Sequence, residues 1–272
     1  MKRRPVWLLP ALVIPLVALG ACGSSDHSVA APPTATSRPT NRSTASIRTT
    51  TAPTVPPSTV APLPAYASLV AVGVGPEVAV YDRPALSAAK RTFPNPWSVD
   101  PSRPAAVEDQ VFLVEDRRAN GWVRVLLPVR PNGSTGWVRA ANVAIHPVTY
   151  SVKVELHSRQ ITVFDHGAVL YRGAVAIGKP TTPTPTGRYY VRVLIQAPNP
   201  HTVYGPYAYG LSSHSNALSS FDGGDAEIGL HGNDDASVLG DNVTHGCLRM
   251  DNAEITKLAA LLPLGTPVDI AA

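Results

Sequence analysis

Residues 26–64, DHSVAAPPTATSRPTNRSTASIRTTTAPTVPPSTVAPLP, are almost entirely alanine, proline, threonine and serine. Such a stretch has too little apolar side chain to offset the entropy lost on ordering it. No core can form there, and extended, polyproline-like chain is expected. At about 3.1 Å per residue it reaches on the order of 100 Å. Folding is therefore confined to the chain from Tyr66 onward, roughly 200 residues, enough for two small domains.

Ahead of this tract, MKRRPVWLLPALVIPLVALGAC sets three basic residues before an apolar run that ends in small side chains. That is the anatomy of an export signal, and a run of about 15 residues is short for a membrane span. An uncleaved anchor helix or an ordinary secretory peptide is the alternative. The segment Leu19–Cys22, LGAC, resembles the bacterial lipobox, whose cysteine is acylated with diglyceride. The resemblance implies a signal over 1–21, lipidation at Cys22, a tether over 22–65, and an extracytoplasmic chain held at the outer membrane face and reaching into the wall.

The chain has two cysteines, Cys22 and Cys247. With Cys22 consumed by lipid, Cys247 has no disulfide partner in a compartment that normally pairs thiols. A lone thiol retained there points to chemistry. Removing Lys2, Arg3 and Arg4 leaves 20 basic against 19 acidic residues, so the formal charge falls from +4 to +1. The isoelectric point thus gives no argument for a nucleic-acid partner, and none is expected.

Residues 66–147 read as a first small β domain. Alternation marks strands at Val111–Glu115 and Trp122–Val129, and Asn132-Gly133 predicts a type I′ hairpin turn. Gly-Trp-Val-Arg occurs at 121–124 and again at 136–139. These short strands and repeated Gly-Trp pairs resemble a bacterial SH3-like barrel, which implies a wall-binding or spacing module; alternatively Trp122 and Trp137 simply fill a small core. Residues 148–272 read as a second, mostly β domain. Three strands run through 150–178 with a turn at Asp165-His166-Gly167, and further strands are expected at 188–195, 226–231 and 266–270. One short helix is predicted over 251–262, with Asp251 and Glu254 spaced as a capping box.

IGLHGNDDASVLGDNVTHGCLRM, residues 228–250, carries the chemistry. A strand ends at His231, a polar loop comes next, and the chain returns at His245 with Cys247 two residues on. A thiol that attacks an acyl carbonyl needs a base, a group that fixes the tautomer of that base, and N–H donors for the oxyanion. Gly246 permits unusual backbone angles beside the thiol, and the amides of 245–247 are candidate oxyanion donors. Zinc is the competing reading, with His231, His245, Cys247 and one of Asp234, Asp235 or Asp241 as ligands, but the close ligand pairs typical of such sites are missing.

The pattern His-Gly-x(12)-Thr-His-Gly-Cys-Leu-Arg-Met resembles the signature of the L,D-transpeptidase catalytic domain, the YkuD family. GKPTTPTPTG at 178–187 and GPYAYGL at 205–211 are similar to family segments upstream of it. The resemblance implies a mainly β fold: an SH3-like barrel followed by a YkuD-type β-sandwich with one short helix. It implies Cys247 as nucleophile, His231 as general base and acid, and the Gly232 carbonyl as the group orienting His231. Many members have Ser or Thr in place of Gly232. His245, Gly246 and Arg249 occupy motif positions; Tyr204, Tyr207 and Tyr209, in a stretch bounded by Gly and Pro, are candidates either for lining the cleft or for the core and its rim. The implied partners are donor and acceptor stem peptides of peptidoglycan, the membrane through Cys22, and carbapenem-type β-lactams as inhibitors. No cofactor or metal is expected. The implied reaction is 3→3 cross-linking through a thioester; an L,D-carboxypeptidase using water, or a non-catalytic wall-binding lipoprotein, is the alternative.

Overall fold

Alternating apolar residues become strands throughout the computed structural model, which describes residues 63–272 apart from 86–87, 100–102, 104, 119 and 222. The signal, Cys22 and nearly all of the tether lie outside the described residues. The first half holds β1 (Ser68–Gly73), β2 (Glu77–Val80), β3 (Arg91–Pro94), β4 (Trp97–Ser98), β5 (Val107–Glu108), β6 (Val111–Arg118), β7 (Trp122–Leu126), β8 (Thr135–Arg139) and β9 (Val143–Val148). Five of these form an antiparallel sheet in the order β8-β7-β6-β1-β9, while β2 pairs with β3 and β4 with β5. Ala71, Val78, Phe112, Val123, Val125 and Val138 pack as its core. Trp122 and Trp137 are buried, with the Arg139 guanidinium 4.9 Å over the first ring and that of Arg118 5.1 Å over the second.

The expected type I′ turn at Asn132-Gly133 does not form. Of the two residues only Gly133 has a positive φ, 79°, and that turn type needs both. Pro128 and Pro131 cannot donate to a ladder, so β7 stops at Leu126 rather than Val129. The longer connection closes with Leu127 N–H on Ser134 O at 2.8 Å.

After one intervening residue the second half begins. It comprises β10 (Tyr150–Glu155), β11 (Gln160–Asp165), β12 (Ala168–Ala174), β13 (Ile177–Gly178), β14 (Gly187–Gln196), β15 (Tyr207–His214), β16 (Glu227–His231), β17 (Asn242–Thr244), β18 (Leu248–Arg249), α1 (Asn252–Ala259) and β19 (Pro267–Ala271). His166 and Gly167 both take positive φ, 49° and 79°, and turn β11 into β12. Eight strands form one sheet in the order β12-β11-β10-β19-β14-β15-β16-β18, and β13 pairs with β17 apart from it. Val152, Ile161, Tyr189, Tyr209, Leu230 and Leu248 come from six of these strands and share one core, so the sheet curls around it. Helix α1 closes the core with Ile255 and Leu258. The Asp251 carboxylate accepts the N–H groups of Ala253 at 2.8 Å and Glu254 at 3.2 Å. Only this forward half of the capping box forms, because Glu254 pairs with Lys257 at 2.7 Å instead of returning to Asp251.

The halves meet through two apolar clusters. Leu113 and Leu126 pack with Tyr190, and Val70, Val111 and Val148 pack with Leu264. The described residues thus belong to one compact unit.

Candidate active site

Strand periodicity decides which side chains face the cleft. Ile228 and Leu230 of β16 are fully buried in the core, so the alternate positions Gly229 and His231 point to the other face. Strand β18 lies parallel to β16 with Leu230 opposite Leu248 and His231 opposite Arg249, which sets Cys247 beside Gly229. The Gly229 N–H donates to Cys247 Sγ at 3.3 Å. A Cβ at Gly229 would lie 3.5 Å from His231 Cδ2 and 3.8 Å from Cys247 Sγ. Imidazole and thiol therefore border the same small gap, which exists because residue 229 has no side chain. They line one cleft together with Tyr204, Gly210, Phe221 and Asp225.

His231 is almost fully buried, and its Nδ1 lies 2.6 Å from the Gly232 carbonyl oxygen. A carbonyl only accepts, so Nδ1 carries the proton and Nε2 is left as the basic nitrogen. Gly232 itself has no room for a side chain: a Cβ there would overlap Asn252 Oδ1, and Pro206 Cδ stands at 3.0 Å. Asn252 also accepts the Asn233 N–H at 2.9 Å, and Asn233 Nδ2 donates to Met250 O at 2.9 Å, so helix α1 and β18 fix the chain leaving His231. The departure from Ser or Thr at position 232 follows from this packing.

The turn bearing Cys247 is held by threonine hydroxyls that sequence reasoning did not single out. Thr244 Oγ1 donates to Cys247 O at 2.6 Å and accepts the Gly246 N–H at 3.1 Å. Buried Thr182 and Thr184 reach in from the proline-rich segment: Thr182 Oγ1 donates to Thr244 O at 3.1 Å, and Thr184 Oγ1 donates to Gly246 O at 2.9 Å while accepting the Gly178 N–H. Prolines in this segment cannot supply ladder donors, so hydroxyls do the pairing. One expectation changes as a result. The Gly246 amide is committed to Thr244, so of the three amides expected to face an oxyanion those of His245 and Cys247 are the ones without such a bond among the described residues. Thr184→Val keeps the side-chain shape and strands two buried backbone groups. The expected loss, read from urea unfolding, is on the order of 2–4 kcal/mol.

Burial holds the His231 pKa down at about 4; hydrogen bonding to the Gly232 carbonyl opposes this, and the Arg249 charge adds to it. Burial pushes the Cys247 thiol up, against the Gly229 N–H and the Arg249 charge, which pull it down. Both shifts favour neutral thiol and neutral imidazole at rest, so the pair is arranged for proton transfer during attack rather than for a preformed ion pair.

The other candidates separate. The Tyr204 ring lies 5.1 Å from that of His231 on the cleft side. Tyr207 is half-buried against the rim of the main core. Tyr209 also borders the cleft, while its ring is fully buried and its hydroxyl donates to Leu258 O at 2.6 Å. In β15 the cleft-facing positions are Ala208 and Gly210. His245 Nε2 faces Lys179 Nζ at 3.3 Å and its ring packs 5.3 Å from Phe221. Arg249 exchanges backbone hydrogen bonds with Ala176, and its side-chain Nε is buried without a partner. Among the described residues, no three His, Cys, Asp or Glu side chains gather as a metal site would require.

Residues 149–270 match the family model of YkuD, the L,D-transpeptidase catalytic domain. The YkuD protein of Bacillus licheniformis, provisionally assigned as an L,D-transpeptidase, is 29% identical over 154 residues, which cover 54% of this chain and 85% of that protein. Its Bacillus subtilis counterpart is 27% identical over 53% of this chain and 84% of its own length. Among solved structures, an L,D-transpeptidase from Mycobacterium smegmatis aligns with 72% of this chain and 99% of its own, at 15% identity and a TM-score of 0.39. An Enterococcus faecium L,D-transpeptidase mutant aligns with 44% of this chain and 48% of its own, at 22% identity and a TM-score of 0.35.

Proposed function

We propose that the L,D-transpeptidase catalytic domain at residues 149–270 joins two peptidoglycan stem peptides by a 3→3 cross-link through a thioester on Cys247. The observation that supports this most is the pair bordering Gly229: a thiol, and an imidazole whose Nδ1 proton is bound by the Gly232 carbonyl so that Nε2 stays basic.

In the first half-reaction Cys247 Sγ attacks the carbonyl of the third residue of a tetrapeptide donor. His231 Nε2 takes the thiol proton as the S–C bond forms. The amides of His245 and Cys247 receive the oxyanion. His231 then gives its proton to the departing D-Ala nitrogen as the C–N bond breaks. In the second, the side-chain amine of a neighbouring stem attacks the thioester and loses a proton to His231. A new amide forms, the C–S bond breaks, and the proton returns to Sγ. No metal or organic cofactor enters any step. A carbapenem, whose strained lactam is an acyl donor, acylates the same sulfur.

The leader and the Ala/Pro/Thr/Ser tract support a lipid anchor at Cys22 and a reach from the outer membrane face into the wall, with the first β half as an SH3-like spacer. Incubating the enzyme with purified tetrapeptide stems tests the reaction. Dimers with release of one D-Ala per link are expected. D-Ala release with tripeptide alone would make water the acceptor and the enzyme a carboxypeptidase, and neither product would favour a binding protein.

A further inference from the structure

Between β15 and β16 the chain makes an excursion over residues 215–226, one wall of the cleft. Among its described residues the backbone is tied by Ser215 N–H to Ala226 O at the base and by reciprocal bonds between Phe221 and Gly224 at the tip. Phe221, Gly224, Asp225 and Ala226 from this arm line the cleft with His231 and Cys247, and the Phe221 ring rests against His245.

A second set of ties reaches the arm from the other half of the molecule, beside the bonds that Ser215 Oγ accepts from the Ala217 and Leu218 N–H groups and the contact of His214 Nε2 with Asp225 at 3.3 Å. The Arg130 guanidinium donates to three arm carbonyls, those of Ser215 at 2.5 Å, Leu218 at 2.9 Å and Asp225 at 2.9 Å. Its contact with the Asp225 carboxylate, 3.4 Å and exposed, adds little by comparison. The Asn132 side chain accepts the His214 N–H at 2.9 Å and donates to His214 O at 2.8 Å, so one amide stands in for a neighbouring strand at the end of β15. It also reaches Asn216 Oδ1 at 3.2 Å. These contacts explain why the β7–β8 connection abandons the tight turn: its side chains are aimed at the arm.

We infer that Arg130 and Asn132 are positioning residues for the cleft wall that Phe221, Gly224, Asp225 and Ala226 form, so that the first β half sets the substrate affinity of the second. This rests on the transpeptidase function proposed for the domain. The two residues touch the arm and neither Cys247 nor His231, and the halves are separately joined by the apolar clusters around Leu113–Tyr190 and Val70–Leu264. Releasing the arm therefore leaves the halves docked and the nucleophile–base pair in place.

The test uses the full chain with Arg130→Ala and Asn132→Ala combined. KM for the donor tetrapeptide is expected to rise about tenfold with kcat within about twofold, because binding is lost and the chemical step is not. Backbone amides of 215–226 should exchange with deuterium at least about tenfold faster while those of β14 and β19 are unchanged. Arg130→Lys, which keeps the charge but cannot bridge three carbonyls, should fall between wild type and variant, and it serves as the test should the double variant not fold. Unchanged KM together with unchanged exchange over 215–226 overturns the inference, and so does a loss confined to kcat. If the wild-type enzyme turns over no stems, the transpeptidase reading fails on its own, and the exchange measurement still decides whether these side chains hold the arm.

Discussion

Cys247→Ala is expected to lower 3→3 dimer formation by about 10⁴-fold or more, since removing a nucleophile removes the covalent path and leaves only binding and the oxyanion donors. Folding should be nearly untouched. Cys247 is half-buried as a residue, and among the described residues the hydrogen bond its side chain makes is from the Gly229 N–H at 3.3 Å. The expected change in stability is below about 1 kcal/mol. Intact mass after carbapenem exposure gives an independent reading: one adduct in the wild-type chain, mapped to the peptide containing Cys247, and none in the variant. An adduct of the same stoichiometry in the variant would move the nucleophile elsewhere. Retained dimer formation would remove the thioester altogether.

The parts of this fold that sequence made legible are local. The 150–174 meander shows as period-two alternation broken by His166-Gly167, and helix α1 shows as Asp251 followed by Ile255 and Leu258. What was not legible is pairing at long range. Strand β19 lies between β10, to which it is parallel, and β14, and nothing in Pro267–Ala271 names either neighbour. Strand β15 was hidden by its glycine and proline neighbours, yet its tyrosines held a usable signal. Tyr207, Tyr209 and Leu211 fall on one face at period two, which marks that face as core and leaves Ala208 and Gly210 for the cleft. Gly229 was similarly readable: a glycine between two core residues of a strand signals close approach, here of an imidazole and a thiol.

The site was legible where chemistry requires a residue type, and illegible where geometry requires only a hydrogen bond. The motif displays Cys247 and His231 because no other side chains do their work. Thr182, Thr184 and Thr244 hold the same turn through hydroxyl-to-backbone bonds, and nothing in a run such as TTPTPTG distinguishes a threonine that grips a neighbouring loop from one that faces water. Arg130 and Asn132 lie further still from recognition, because their target is more than 80 residues away.

His231→Gln is expected to cost about 10³-fold in kcat/KM, the upper-middle range for loss of a general base. Its pH behaviour carries more information than its size. With the His231 pKa at about 4, the imidazole is neutral and basic down to roughly pH 5, where a histidine at its ordinary 6.5 would be almost fully protonated. The acidic limb of wild-type kcat/KM should therefore lie near pH 4, with a plateau from about 5 upward, and the variant should lose that limb. Iodoacetamide alkylation, which needs thiolate, should instead climb with pH through and beyond the ordinary thiol range, because burial raises the Cys247 pKa. The effect on stability has a definite sign. Between pH 6.5 and about 4 the unfolded chain binds a proton at this position that the folded chain does not, so folding free energy is lost as pH falls through that window. The loss approaches about 3 kcal/mol at its acid end, and His231→Gln should be spared it. A wild-type acidic limb between pH 6 and 7, with no difference in acid stability between the two proteins, would mean that burial does not hold the charged form of His231 off and that the base protonates as an ordinary imidazole does.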